Sequence, residues 1–173
     1  LFFEEVVAER EHYDATLEKW FIFLENKNIL LDESWFAQNE KDIETFHKFR
    51  HQIPSLINER NSRAKREKVG TDMAVSDPYF LDMMEYYENV LAGQGIPYVI
   101  FGHIGDNHLH INLLPDSTQL KLASTLYDQI ASKIIAWNGT VSAEHGIGKK
   151  KRKYFYEMVS NENINDLEKI KKT

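Results

Sequence analysis

Apolar residues recur every three or four positions along several stretches of the chain and every second position along a few short ones. Tyr13, Leu17, Trp20, Phe21 and Leu24 keep helical spacing, and this predicts a helix over 10–26. Ile43, Phe46, Phe49, Ile53 and Ile57 keep it over 39–66, where Pro54 lacks the N–H that the ladder needs and predicts an interruption or bend. A helix over 77–95 is signalled at both ends, with Asp77 as N-cap, Pro78 at N1, and Gly93 and Gly95 at the close. Another over 117–139 has Gly139 as its stop, and 149–160 and 163–173 read as closing helices. Strands are expected over 1–7, 29–37, 68–76, 96–104, 108–115 and 140–146. Two of these, 96–104 and 108–115, are joined through Asp106 and Asn107, and so short a reversal requires antiparallel neighbours. The expected fold is therefore α+β, a mostly antiparallel, ferredoxin-like sheet with helices packed on one face, in a single domain over 1–173.

The hairpin carries the first chemical signal. In "GHIGDNHLHIN", a tight turn centred on Asp106 and Asn107 sets Gly105 opposite His108, Ile104 opposite Leu109 and His103 opposite His110. Side chains alternate, so His103, His108, His110 and Asn112 share one face, while Leu109, Ile111 and Leu113 take the other and pack against helices. Two neutral imidazoles facing each other can both reach one divalent cation; the bland alternative is a polar face whose histidines meet only water. Two known His-x-His patterns fail. The cupin motif expects a glutamate where Leu114 or Pro115 stands, and the metallo-β-lactamase motif expects Asp-His where Asn112 and Leu113 stand.

Composition narrows the chemistry. A net charge of −6 argues against a nucleic-acid surface, and the absence of cysteine leaves imidazole, carboxylate or carbonyl as the ligands of any tightly held metal. No apolar run is long enough to cross a membrane, and no signal peptide opens the sequence. A cytoplasmic location is the default, with peripheral contact at the inner membrane left open for a complete protein. The chain starts without methionine and stops inside a helical pattern, so a longer protein is expected.

A third ligand is offered by "VSAEHGIGKKK", where Glu144 and His145 precede a turn that Gly146 and Gly148 make pliable. Together, "GHIGDNHLHIN" and "VSAEHGIG" make the chain resemble the C-terminal domain of the FAD-linked 2-hydroxy-acid dehydrogenases and oxidases, the family of D-lactate, D-2-hydroxyglutarate and glycolate oxidising enzymes. The resemblance runs through nearly the whole length.

It implies a domain that binds substrate and metal and works beside an N-terminal FAD-binding domain absent from this sequence. By that resemblance His103, His110 and Glu144 are metal ligands, His145 is the catalytic base, and Arg50 and Asn112 hold the substrate. Zinc suits such a trio best, with manganese or iron as alternatives. The implied cofactor is FAD, held mainly by the other domain, and the implied partner is a small 2-hydroxy acid; the electron acceptor is unassigned and a homodimer is left open. Relatives often read Asp-Gly-Asn-Leu-His where this chain reads Asp106-Asn107-His108-Leu109-His110, so His108 is an extra imidazole without a role. Some relatives place a hydroxyl at Pro54 and some a lysine at Gly70, for which Lys68 is only a weak substitute, and these departures leave the acid's identity open. Without the resemblance, Arg50 and the basic run 149–153 read as solvated helix faces, and the stripe Met83, Tyr86, Tyr87 and Val90 as core or interface. A free-standing module for small carboxylates and a metal hydrolase are the rival functions.

Overall fold

The computed structural model describes residues 2–7, 9, 12–37, 39–64 and 66–172. The chain divides into two compact units, Leu1–Ser55 and Leu56–Thr173.

The first unit holds helix α1 (Tyr13–Asn26) and most of helix α2 (Glu40–Arg63), which passes the unit boundary and is unbroken at Pro54. Arg10 and Glu11, at the expected start of the first helix, lie outside the described residues, as does Leu1. Among the described residues, neither of the two strands expected in this unit forms. Residues 2–7 have no ladder partner; Phe3 packs on Trp20 at 4.4 Å between ring centroids, and Glu5 accepts a hydrogen bond from the same indole. Leu31–Glu33 is a single tight turn whose end is closed by the Ser34 hydroxyl donating to the Leu30 carbonyl at 2.9 Å. No described residue of this unit is buried.

The second unit contains the core. Strands β1 (Val69–Gly70) and β2 (Met73–Ala74) flank one side of β4 (His108–Leu113), and β3 (Tyr98–His103) flanks the other, all antiparallel. The pairs on either side of Thr71 and Asp72 share one register, so β1 and β2 are one interrupted strand in which Asp72 falls beside His110. Thr140 adds a single bridge to Ala74 at the far edge. Helix α3 (Phe80–Leu91) lies between β2 and β3 in sequence, and helix α4 (Leu120–Ala136) between β4 and Thr140. This strand order and crossover pattern is the ferredoxin-like β-α-β-β-α-β arrangement, with the last strand reduced to one bridge. The expected strand 140–146 goes no further because its backbone N–H groups turn to Asp72 instead of a neighbouring ladder.

Leu109, Ile111 and Leu113 point into a cluster with Met73, Met83, Tyr87, Leu126, Ile130 and Ile134, all buried. Met83 and Tyr87 are core, with Tyr86 and Val90 packed against it. Helices α5 (Arg152–Met158) and α6 (Asn161–Lys172) close the chain as expected. Among the described residues, no helix is long and apolar enough to cross a membrane.

Three local expectations change. Asp77 does not cap α3; its carboxylate accepts from the Asn107 side chain, and a tight turn Asp77–Tyr79 precedes the helix. The residue past α4 with positive φ is Asn138 (55°), and Gly139 is required for a different reason: a Cβ there would stand 2.6 Å from the Ala74 carbonyl oxygen. The hairpin turn is also longer than two residues. A two-residue primed turn needs positive φ at both centres (type I′) or at the first (type II′), and Asp106, the first of the pair, does not have it, whereas Asn107 does (50°). The chain instead reverses through a turn over Ile104–Asp106 and Asn107, which pairs His103 with His108 and Phe101 with His110, correcting the expected His103–His110 pairing. The slip is two residues, so every side chain keeps its face.

β3 presses so closely on β4 that a Cβ at Gly102 would lie 2.1 Å from the His108 carbonyl oxygen, whereas one at Gly105 would meet nothing within 4 Å. Gly102→Ala is therefore expected to cost at least ~1–3 kcal/mol of stability, the range for forcing atoms into a packed core. Gly105→Ala should stay within about 0.5 kcal/mol of the parent. Thermal melts of the two variants check this, and equal midpoints would contradict it.

Candidate functional site

The site lies on the sheet face opposite the core, where the pleat gathers Asp72, Ala74, His108, His110, Asn112, Phe101 and His103. Asp72 organises it. A carboxylate buried to 3% exposure is unusual in a strand, and here it is heavily bonded. It accepts the backbone N–H of Glu144 at 3.1 Å and of His145 at 3.0 Å, and the Lys151 ammonium at 2.6 Å. The Asp72 carbonyl takes the N–H of Ala143 at 3.1 Å. Lys151 also donates to the Ser142 hydroxyl at 3.2 Å, so this residue of the basic run turns inward, unlike its exposed neighbours Lys150 and Arg152. Burial alone would raise the Asp72 pKa, but the Lys151 ammonium and the two backbone donors outweigh it and hold the carboxyl well below the usual range. Asp72 is ionised at every physiological pH.

That anchor draws the corner 142–148, with positive φ at Gly146 (72°) and Gly148 (53°), against the histidines of β3 and β4. The Glu144 carboxylate then stands 3.2 Å from His103 Nε2, 3.5 Å from His108 Nδ1, 3.7 Å from His110 Nε2 and 3.9 Å from His145 Nε2. His145 is largely exposed, and its ring lies 5.5 Å from that of His110.

Hydrogen bonding sets the tautomers. His110 Nδ1 lies 2.9 Å from the Thr71 carbonyl oxygen, an obligate acceptor, so Nδ1 carries the proton and Nε2 offers its lone pair toward Glu144. His108 Nε2 lies 3.0 Å from an Asp72 oxygen but out of line, so this buried N–H has its acceptor in reach without a formed bond. Burial first, and the neighbouring His110 second, lower the His108 pKa against the opposing pull of Glu144 and Asp72, which favours the neutral ring.

The donor set suits a cation. Two ligand atoms each about 2.1 Å from one ion stand roughly 3.0–3.4 Å apart between right and tetrahedral angles, close to the separations around Glu144. Among the described residues, two groups bring one ligand atom each within 4.8 Å of one another: His108, His110 and Glu144, and Asp72, His110 and His145. His103 enters neither group, although its Nε2 is the nearest imidazole nitrogen to Glu144.

Of the residues singled out from sequence, His103, His110, Glu144 and His145 come together here. Asn112 sits on the same face two positions beyond His110, buried to 4% with its Nδ2 unpartnered, and its Oδ1 lies 3.2 Å from where a Gly70 Cβ would be. Arg50 belongs to the first unit, on α2, with its guanidinium 5.8 Å from the Phe2 ring centre. Asp72, Thr71 and Lys151 were missed. The one available signal was the polar pair Thr71-Asp72 inside a strand, where aspartate is disfavoured.

The comparisons with known proteins agree with the motifs. A family model described as FAD linked oxidases, C-terminal domain, matches residues 7–173. The chain is 32% identical over 85 residues to a mitochondrial D-2-hydroxyglutarate dehydrogenase of Danio rerio, covering 49% of this chain and 16% of that protein. It is 30% identical over 101 residues to a mitochondrial D-lactate dehydrogenase [cytochrome] of Kluyveromyces lactis, covering 58% and 18%. It is 25% identical over 138 residues to glycolate oxidase subunit GlcD of Bacillus subtilis, covering 78% and 28%. The chain thus spans less than a third of the length of these relatives.

Asp72→Asn is expected to lower stability near pH 7 by about 3 kcal/mol, the low end for leaving a buried partner without its counter-charge, since Lys151 retains some access to water. The sign with pH follows from the depressed pKa: the contribution is complete above the unfolded value of about 4 and fades as pH falls through the folded one. Denaturant titrations across pH should show the gap between parent and variant narrowing below that point. A gap unchanged down to strong acid would contradict the assignment.

Proposed function

The chain belongs to the C-terminal domain family of the FAD linked oxidases, and from that premise we propose that it is the substrate- and metal-binding part of a flavin-dependent dehydrogenase that oxidises a D-2-hydroxy acid to the 2-oxo acid. The acid is of the D-lactate, glycolate or 2-hydroxyglutarate type, as the names of the relatives suggest. The observation that carries the reading is the convergence of His103, His110 and Glu144 on one spot with His145 beside them.

His103, His110 and Glu144 hold a divalent metal in this reading, zinc first by its liking for imidazole with carboxylate, manganese or iron next. Once bound, the metal supplies Lewis acidity at the substrate hydroxyl and a template for the neighbouring carboxylate. His145 takes the hydroxyl proton at Nε2 in this reading, and its exposure suits exchange of that proton with water. A flavin bound beside the site would supply the two-electron oxidant, taking up the C2 hydrogen with its electron pair, which balances conversion of the hydroxyl carbon to a carbonyl. Asn112 Nδ2, an orphan buried donor on the same face, is suited to a substrate oxygen. For Arg50 as the carboxylate clamp, the support is the resemblance alone. FAD itself is held mainly by an N-terminal domain of the complete protein.

In the complete protein, His145→Ala is expected to slow flavin reduction by D-lactate, glycolate or D-2-hydroxyglutarate about 10²–10⁴-fold, the usual worth of a general base. Its metal content should be unchanged; undiminished reduction would remove His145 as the base. His103→Ala and His110→Ala are each expected to purify without metal. Stoichiometric metal in either variant, read by elemental analysis, would count against that ligand.

A further inference from the structure

We propose that His108 is a further metal ligand of this site, through Nδ1, so that the ion is held by up to three imidazoles and one carboxylate. The inference rests on the metal reading above and extends it to a residue to which that reading gives no role.

Four observations carry it. His108 is buried to 2% exposure on the face that bears Glu144, and its Nδ1 lies 3.5 Å from the same Glu144 Oε1 that His103 Nε2 approaches at 3.2 Å. His108, His110 and Glu144 form a group whose ligand atoms all lie within 4.8 Å of one another, and His103 is not in it. The tautomer is suitable: Nε2 faces the ionised Asp72 at 3.0 Å and therefore carries the proton, which leaves the Nδ1 lone pair toward Glu144. Finally, Nε2 is buried and has no formed hydrogen bond, a cost that a slight rotation of the ring, fixed by a ligand on Nδ1, would remove by aligning Nε2–H with Asp72. Carboxylate, imidazole and ion would then lie in the relay that commonly orients metal-bound histidines.

Backbone geometry supports the placement. Asn107, with φ at 50°, absorbs the left-handed turn, so β4 begins at His108 paired with His103, ring centroids 5.9 Å apart. A second consequence concerns metal preference. An added nitrogen donor moves the site from hard, oxygen-preferring ions such as magnesium and calcium toward zinc, iron or nickel.

The test uses the complete protein, stripped with chelator and reloaded with zinc alone. X-ray absorption at the zinc edge should count one imidazole more in the parent than in His108→Asn, and competition titrations should show zinc binding about 10–100-fold weaker in the variant. His108→Gln provides a second substitution should the first fail to fold, and the parent spectrum is itself decisive, with three imidazoles expected. An unchanged imidazole count in parent and variant, with at most two imidazoles in the parent, would overturn the role of His108 and leave the metal reading standing. Failure of the parent to bind zinc, or binding unaffected by His110→Ala, would overturn both.

Discussion

A single buried carboxylate holds this site together. Asp72 sits in a strand, beside His110 by register, yet its oxygens are spent on a segment about seventy residues further along: the N–H groups of Glu144 and His145 and the ammonium of Lys151. Residues 142–148 form neither a helix nor a ladder, so little besides that anchor holds the Glu144 carboxylate against the histidine strands. The desolvation that burial imposes on Asp72 is offset by three donors, which is why the charge persists inside the protein. The same charge determines which nitrogen of His108 is protonated, and so Asp72 prepares both the backbone and the lone pairs of the site.

The sheet supplies the second constraint. β4 is the central strand, buried on both faces, and its alternation separates two tasks: Leu109, Ile111 and Leu113 enter the core, while His108, His110 and Asn112 face the chemistry. The core clamps the strand from behind through Met73, Met83, Tyr87 and Ile130, so the imidazoles stand on a rigid base and not on a loop. The more exposed partners, His103, Glu144 and His145, come from the rim, where they are open to solvent.

Much of this was legible in the sequence. Helical periodicity located the long helices, and period-two alternation with glycine-marked bends located the strands that build the site. The two motifs, read as a resemblance, found His103, His110, Glu144 and His145, which the fold gathers around one carboxylate. The expected two-residue turn was wrong in register, but a slip of two leaves faces intact, which is why His103, His108 and His110 still share one face. The β-rich stretches 2–7 and 29–37 formed no strand, because propensity without a partner makes no ladder. Asp72 and Lys151 escaped notice for a related reason: one looked like an interruption in a short strand and the other like one lysine among several, and only the long-range contact gives either a purpose.

Whether the carboxylate of Glu144 and the imidazoles of β3 and β4 share one ion decides the chemistry of the site. Crystals of the complete protein, measured for anomalous scattering on both sides of a transition-metal edge, test this directly. One strong peak is expected within about 2.0–2.2 Å of a Glu144 oxygen and of His110 Nε2. Crystals of metal-replete protein with no peak there, or with the metal seated elsewhere, would contradict it.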